Sequence, residues 1–342
     1  IVDSMVFNNS KNSEYGMILL RVNHIQILSS LKVCVLKYLC NTIAEVYGKS
    51  ILKGVFIMKH TLKVDQVRDG LWLDSDITYT QVPGWLGNTT RDLKLSVIRH
   101  FQTNDDTSYP VIFWFAGGGW MDTDHNVHLP NLVDFARHGY IVVGVEYRDS
   151  NKVQFPGQLE DAKAAIRYIR ANAKRFQADP NRFIAMGESA GGHMASMLGV
   201  TNGLNQFDKG TNLDYSSDVQ VAVPFYGVVD PLTAKTGSAS NDFDFVYRNL
   251  LGAEPENAPE LDSAANPLTY VNSTSTPFLI FHGTEDVVVP IKDSEKLYDA
   301  LVENNVPTEL YEIEGASHMD VKFLQPQVFK IVMDFLDKYL NR

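Results

Sequence analysis

From about residue 70 the chain alternates between two hydrophobic rhythms. "DITYTQV" (76–82) and "LKLSVIRH" (93–100) alternate apolar and polar residues over most of their length, as in a strand with one buried face. The turn-rich "PGWLGNTTRD" between them predicts an antiparallel pair. "YPVIFWFA" (109–116) and "YIVVGVEY" (140–147) are continuous apolar runs, as expected of strands buried on both faces of a sheet. Between these two, "HLPNLVDFARHG" predicts a short helix closed by Gly139.

The helical rhythm is clearest in "FPGQLEDAKAAIRYIRANAKRF" (155–176). Leu159, Ala162, Ile166, Ile169, Ala173 and Phe176 form one stripe, and Lys163, Arg167, Arg170 and Lys174 lie off it. One amphipathic helix is expected there. The turn Asp179-Pro180-Asn181 then leads into the strand "RFIAM", the glycine-rich "GESAGG" and a helix from about 190 to 200. Strands at "VQVAVPFYG" (219–227), "PFLIFHG" (277–283) and "TELYEIEG" (308–315) follow, with helices near 292–304 and 326–340. This order predicts an α/β fold with one mostly parallel, doubly wound sheet and helices on both faces. Residues 231–276 break the rhythm; their Gly, Ser, Asn and Pro content predicts an insertion over one end of the sheet. No internal repeat or low-complexity tract is present.

Composition narrows the picture. The chain has 342 residues, 44% of them hydrophobic, enough for a large core. Its net charge of -11 argues against a nucleic-acid or anionic-membrane partner. Residues 1–57 differ from the rest, with six Lys/Arg against three Asp/Glu and both cysteines, Cys34 and Cys40. The main domain therefore has neither a disulfide framework nor a Cys-rich metal site. The apolar residues of "MILLRVNHIQILSSLKVCVLKYLC" are cut by Arg21, His24, Lys32 and Lys37, leaving no run near the ~20 residues of a membrane span. No basic start, clean apolar stretch and small-residue cleavage site follow one another, so a signal peptide is not expected and a cytoplasmic location is. The codons available to Lys53-Gly54-Val55 can spell a bacterial ribosome-binding site just before Met58. Residues 1–57 are accordingly expected to be an N-terminal extension of translated leader or appended sequence, with 58–342 the folded domain. A helical arm covering an apolar surface is the alternative.

Ligand sites in such sheets gather at the carboxyl ends of the strands. Four polar features fall there: the triple glycine of "WFAGGGW" (114–120), Ser189, Asp286 and His318. Three consecutive glycines cost backbone entropy, so something must approach that backbone closely: a phosphate, a neighbouring helix or a developing oxyanion. "Gly187-Glu188-Ser189-Ala190-Gly191" is a G-x-S-x-G between a predicted strand and helix, where small residues must flank a serine on a strained turn. A serine hydroxyl needs a base to take its proton. Of nine histidines, His193 lies a turn along the helix leading away from Ser189, and His282 in "FHGTED" reads as shaping its loop. His318, in "EGASHMD" after the last strand, is on a loop free to reach across the sheet and is the expected base. The base needs an acceptor. Asp286 in "HGTEDVVVP" is favoured, with Glu285 and Asp230 as the other carboxylates at strand ends.

Taken in order, "AGGGW", "FPGQLEDAKAAIRYIR", "GESAGGHMA", "HGTEDVVVP" and "GASH" resemble the α/β-hydrolases of the hormone-sensitive-lipase-like esterase group over roughly residues 70–340. Within it they are most similar to the bacterial acetyl-xylan and feruloyl esterase-like branch. The resemblance implies that Ser189 attacks an ester carbonyl, that His318 serves as base and then acid, and that Asp286 orients His318. It also implies an oxyanion hole from the backbone N–H groups of Gly118, Gly119 and Ala190. Two features depart from the group. Ala116 stands where its glycine motif begins with His, and Tyr147-Arg148-Asp149-Ser150-Asn151 replaces its Tyr-Arg-Leu-x-Pro.

The function expected is a carboxylesterase without cofactor or metal, acting on small-molecule esters of short acyl or small aromatic acids, acetyl and feruloyl groups of plant polysaccharide among them. Trp120, Phe225, Tyr226 and the insertion are expected to line its pocket. The acyl specificity and the oligomeric state are not set by the sequence. A serine peptidase or amidase would use the same triad, and a non-catalytic binding protein would share the fold. The triple glycine lacks the lysine and Ser/Thr of a phosphate-binding loop. Asp122, Asp124, His125 and His128 are metal-type ligands, but are read as a solvated polar loop.

Overall fold

The continuous apolar runs become the middle of a single sheet. The computed structural model describes residues 60–340 apart from 66, 68, 69, 85, 102–106, 122, 239 and 240. The 1–57 extension and its boundary at Met58 lie outside the described residues. The unit Gln66–Arg342 carries the sheet. Its strands are β1 (Gly70–Pro83), β2 (Thr90–Phe101), β3 (Tyr109–Phe115), β4 (Ile141–Val145), β5 (Ala178–Glu188), β6 (Val221–Phe225), β7 (Phe278–Gly283) and β8 (Thr308–Ile313). They lie in the order β1-β2-β4-β3-β5-β6-β7-β8. β2 runs antiparallel to both β1 and β4, and the remaining pairs are parallel. The predicted antiparallel pair and parallel core are both present.

Helices cover both faces: α1 (Leu129–Arg137), α2 (Gly157–Ala171), the one-turn α3 (Ala173–Phe176), α4 (Ala190–Val200), α5 (Pro231–Gly237), α6 (Asp244–Leu251), α7 (Pro259–Ala265), α8 (Ile291–Glu303) and α9 (Pro326–Leu340). The two-residue period of β3 distributes its side chains between two cores. Val111, Phe113 and Phe115 pack with Leu159 and Ile166 of α2 and Met194 of α4. Ile112 and Trp114 pack with Leu132 of α1 and Val332 and Phe335 of α9. Each such fully buried side chain contributes about 1.5–3 kcal/mol. None of the described helices is long and apolar enough to cross a membrane.

The strand order has one consequence for function. After β3 the chain crosses to β4 on one side; after β5 it continues to β6 on the other. The crevice at the carboxyl ends of β3 and β5 is thus the switch point where such sheets bind ligands. "GGG" leaves β3 there, and Ser189 leaves β5.

The 155–176 segment differs from its expectation in two ways. The helix breaks at Asn172, and the last turn is closed by Gln177 in the left-handed conformation at φ 58°. Lys163 and Arg167, off the apolar stripe, are nevertheless fully buried. The 201–218 loop folds over them, so the polar face of α2 became an interior one. Lys163 Nζ donates to Thr201 O at 2.9 Å and Ser217 Oγ at 3.2 Å. Arg167 pairs with Asp208 at 2.5 Å and donates to Thr211 O at 3.2 Å and to Lys209 O. Periodicity reports the stripe but not a distant loop that supplies acceptors.

Arg167→Met is expected to cost about 3 kcal/mol, because it leaves buried acceptors and the Asp208 charge without their partner. The shift in the urea midpoint at unchanged slope measures it.

Candidate active site

Ser189 sits at the tip of the β5–α4 turn with φ 53° and ψ -119°, a region that costs a non-glycine residue energy. The turn is held by close approach. A Cβ on Gly191 would lie 1.9 Å from Phe115 O, and one on Gly187 2.4 Å from Gly191 O. Only glycine lets α4 begin so near the end of β3. Ser189 N donates to Phe225 O at 3.0 Å, fixing the turn to β6.

Its Oγ lies 3.0 Å from His318 Nε2, and His318 Nδ1 lies 2.7 Å from Asp286 Oδ2. Three residues separated by 97 and 32 positions thus form one relay. The Asp286 carboxylate is fully buried and its Oδ1 accepts the amides of Val288 and Val289, each at 2.9 Å. Burial pushes this carboxyl up, but the bonds from His282, His318 and the backbone outweigh burial and hold it well below the usual carboxylate range. The other candidates are elsewhere. Asp230 caps α5 by accepting Thr233 N at 2.9 Å, and Glu285 is exposed. His282 and His193 are buried beside the relay and have their own partners.

The glycine loop wraps the same crevice. Gly118 and Gly119 have φ of 106° and 64°, and Trp120 follows at 56°. Gly117 N donates to Glu188 Oε1 at 2.7 Å, so that amide is committed to the loop's own support. Ala190 opens α4, where first-turn amides have no acceptor within the helix and the helix dipole favours negative charge. Thr123 Oγ1 donates to Gly117 O at 2.8 Å and Tyr147 Oη to Ala116 O at 2.7 Å. His128 Nε2 is 3.3 Å from the same Glu188 oxygen that holds Gly117. A histidine therefore does stand behind the loop, supplied from the start of α1 rather than from position 116. Ser150 N, in the departing 147–151 segment, donates to Trp120 O at 2.7 Å.

A protein-family model described as BD-FAE matches residues 100–301. The chain belongs to the BD-FAE family. The match spans the relay's Ser189 and Asp286 but ends before His318. This BD-FAE chain is 27% identical over 61% of its length to Esterase LipC of Mycobacterium tuberculosis, covering 52% of that protein. It is 27% identical over 75% of its length to Endo-1,4-beta-xylanase B of Butyrivibrio fibrisolvens, covering 38% of that protein. The chain spans about half the length, or less, of these curated relatives. A truncated carbohydrate esterase from gut microbiota superposes with a TM-score of 0.68 at 24% identity, covering 82% of this chain and 99% of that one. The fold is that of the α/β-hydrolases, as the sheet topology already indicated.

In this BD-FAE chain the expected pocket residues divide. Trp120 is buried edge-on to His193 and Tyr247, and Phe225 is stacked between Phe281 and the far-side core. Tyr226 alone touches the relay, its ring 4.8 Å from that of His318. The insertion, helical rather than loop-like, reaches the glycine loop directly: Val246 of α6 occupies the space a Gly119 side chain would need. His125 and His128 are not solvated as expected. His125 is buried with Nε2 3.3 Å from Ser96 Oγ, and His128 turns the other way to Glu188. Asp122 lies outside the described residues. Glu188, which its place beside Ser189 marks as a brace of the loop with no catalytic role, is one through Gly117 N; sequence reasoning missed His128 as its partner.

His193 ties these parts together. Its Nδ1 accepts the Trp120 indole N–H at 3.1 Å and its Nε2 donates to Ala265 O of α7 at 2.7 Å. Burial pushes its pKa down to about 4, against the opposing bond to Ala265. The unfolded chain, with imidazole near ~6.5, takes up this proton first, so native stability is complete above that pH and is lost as pH falls toward 4. The loss is expected to reach roughly 3 kcal/mol. Unfolding free energies of wild type and His193→Gln between pH 7 and 4 check it; the variant, which cannot titrate, should show the shallower slope.

Proposed function

We propose that this chain is a serine carboxylesterase hydrolysing short-chain acyl or small aromatic-acyl esters through an acyl-enzyme intermediate. The observation that carries the reading is the continuous relay from Ser189 Oγ to His318 at 3.0 Å and on to Asp286 at 2.7 Å. His318 Nε2 takes the Ser189 proton as Oγ bonds to the ester carbonyl carbon. The carbonyl oxygen gains the negative charge and is met by the N–H groups of Gly118, Gly119 and Ala190. As the tetrahedral species collapses, the C–O bond to the alcohol breaks and the alcohol leaves with the proton from His318. Water then gives its proton to His318 and attacks the acyl carbon. His318 returns that proton to Ser189 as the carboxylic acid departs. Asp286 remains ionised throughout and stabilises the imidazolium.

Membership of BD-FAE and the likeness to a carbohydrate esterase and a xylanase point to acyl groups carried on plant polysaccharide. Tyr226, its ring edge-on to that of His318, supplies an aromatic wall beside the reacting histidine.

Ser189→Ala is expected to lower kcat on p-nitrophenyl acetate by roughly 10⁴-fold or more and to abolish labelling by a fluorophosphonate probe. In the wild type, Asp286, held well below its ordinary range, stays ionised across the working range and contributes no acid limb to kcat/KM. Undiminished hydrolysis in the serine variant would reject the mechanism. Comparing acetate, butyrate, octanoate and methyl ferulate ranks the acyl group.

A further inference from the structure

We infer that His282 is a positioning residue for this reaction: a second imidazole that anchors the Asp286 carboxylate to the sheet and limits how strongly it supports His318. The inference rests on the esterase reading above and deepens it.

His282 is the penultimate residue of β7 and is fully buried. Its Nδ1 is 2.7 Å from Ser294 Oγ of α8. Its Nε2 is 3.0 Å from Val289 O and 3.4 Å from Asp286 Oδ2. A carbonyl oxygen can only accept, so Nε2 carries a hydrogen whatever the charge of the ring, and the carboxylate oxygen lies within ion-pair distance of the same N–H. Asp286 Oδ2 is also the oxygen bound by His318. One carboxylate oxygen therefore faces two imidazoles.

The origin of each donor gives His282 its role. The amides of Val288 and Val289 belong to the same loop as Asp286 and move with it. His318 belongs to a different loop, beyond β8. The loop's outer edge is open to solvent, with Glu285 and Val287 exposed. His282 alone among these donors stands on a strand, held by α8 from behind. It is the connection between the carboxylate and the rigid sheet.

The second effect is electrostatic. Each donor on a carboxylate draws on charge that would otherwise favour the imidazolium on its other side. The other titratable groups that feel the Asp286 charge are Tyr226, which also meets Glu188, and Tyr247 of α6, which also feels Asp293 of α8 and Asp244. Without His282, Asp286 is both less fixed and more strongly basic toward His318.

The test compares His282→Leu, His282→Gln and Ser294→Ala with wild type in kcat, KM, the pH profile of kcat/KM, fluorophosphonate labelling and thermal unfolding. The Leu variant should lose about tenfold in kcat with KM within about twofold, and its acid limb should move to higher pH. The Gln variant, which keeps an N–H within reach, should recover most of both. Ser294→Ala should move the acid limb the same way by less. A folded Leu variant with wild-type kcat and acid limb would overturn the role, as would equal losses in Leu and Gln with the limb unmoved. If the Leu variant does not fold, an unmoved limb in Ser294→Ala overturns it. A wild type that neither labels at Ser189 nor shows an acid limb defeats the esterase reading itself, an outcome distinct from wild-type labelling with indifferent variants.

Discussion

The site depends on one close approach, that of the start of α4 to the end of β3. Phe115 O occupies the space a side chain at Gly191 would need, and Gly187 is closed off by the same backbone. This contact holds Ser189 in its strained conformation and brings the glycine loop alongside it. It also sets Ala190 N at the open end of a buried helix, facing the crevice where the strand order reverses. Strain of this kind persists only where the surroundings over-determine it. Here they do: β6 accepts the Ser189 amide, and the whole of α4 is buried.

The glycine loop answers to a different constraint, the pairing of buried polar groups. An amide or carboxylate left alone in the interior costs more than a paired one contributes. Glu188 takes Gly117 N–H and meets His128; Tyr147 and Thr123 cover the carbonyls of Ala116 and Gly117. Ala116 therefore removes a side chain without removing the support. With the Gly117 amide spent on Glu188, the proposed oxyanion donors are the next two in the loop, Gly118 and Gly119.

All eight described strands, and the three relay residues, could be read from the chain because each reading used local physics. Two-sided burial gives continuous apolar runs, as in 109–116, and a tight strand–helix turn demands the small neighbours of Ser189. What escaped was set by contacts distant in sequence. Arg167 looks like a solvent-facing helix residue until the 208–211 loop closes over it. His128 sits in a polar stretch that resembles a solvated loop, and its partner lies sixty residues on. Trp120 looked like a pocket wall because aromatics beside a glycine loop often are. Its indole N–H instead satisfies a buried histidine.

The insertion belongs to the same logic and extends it. Composition alone predicts 231–276 as an insertion over one end of the sheet, and its helices are bonded into the site's frame at several points. Val246 packs on Gly119, Ala265 O holds His193 and through it Trp120, and Ser238 Oγ reaches Val287 O beside Asp286 at 3.1 Å. The glycine loop and the acid loop leave different strands, and neither is rigid by its own bonds alone. By touching both, the insertion couples the proposed oxyanion donors to the proposed acid of the relay. A change in how it packs would then register in the geometry of transition-state stabilisation, and not only in which acyl group fits beneath it.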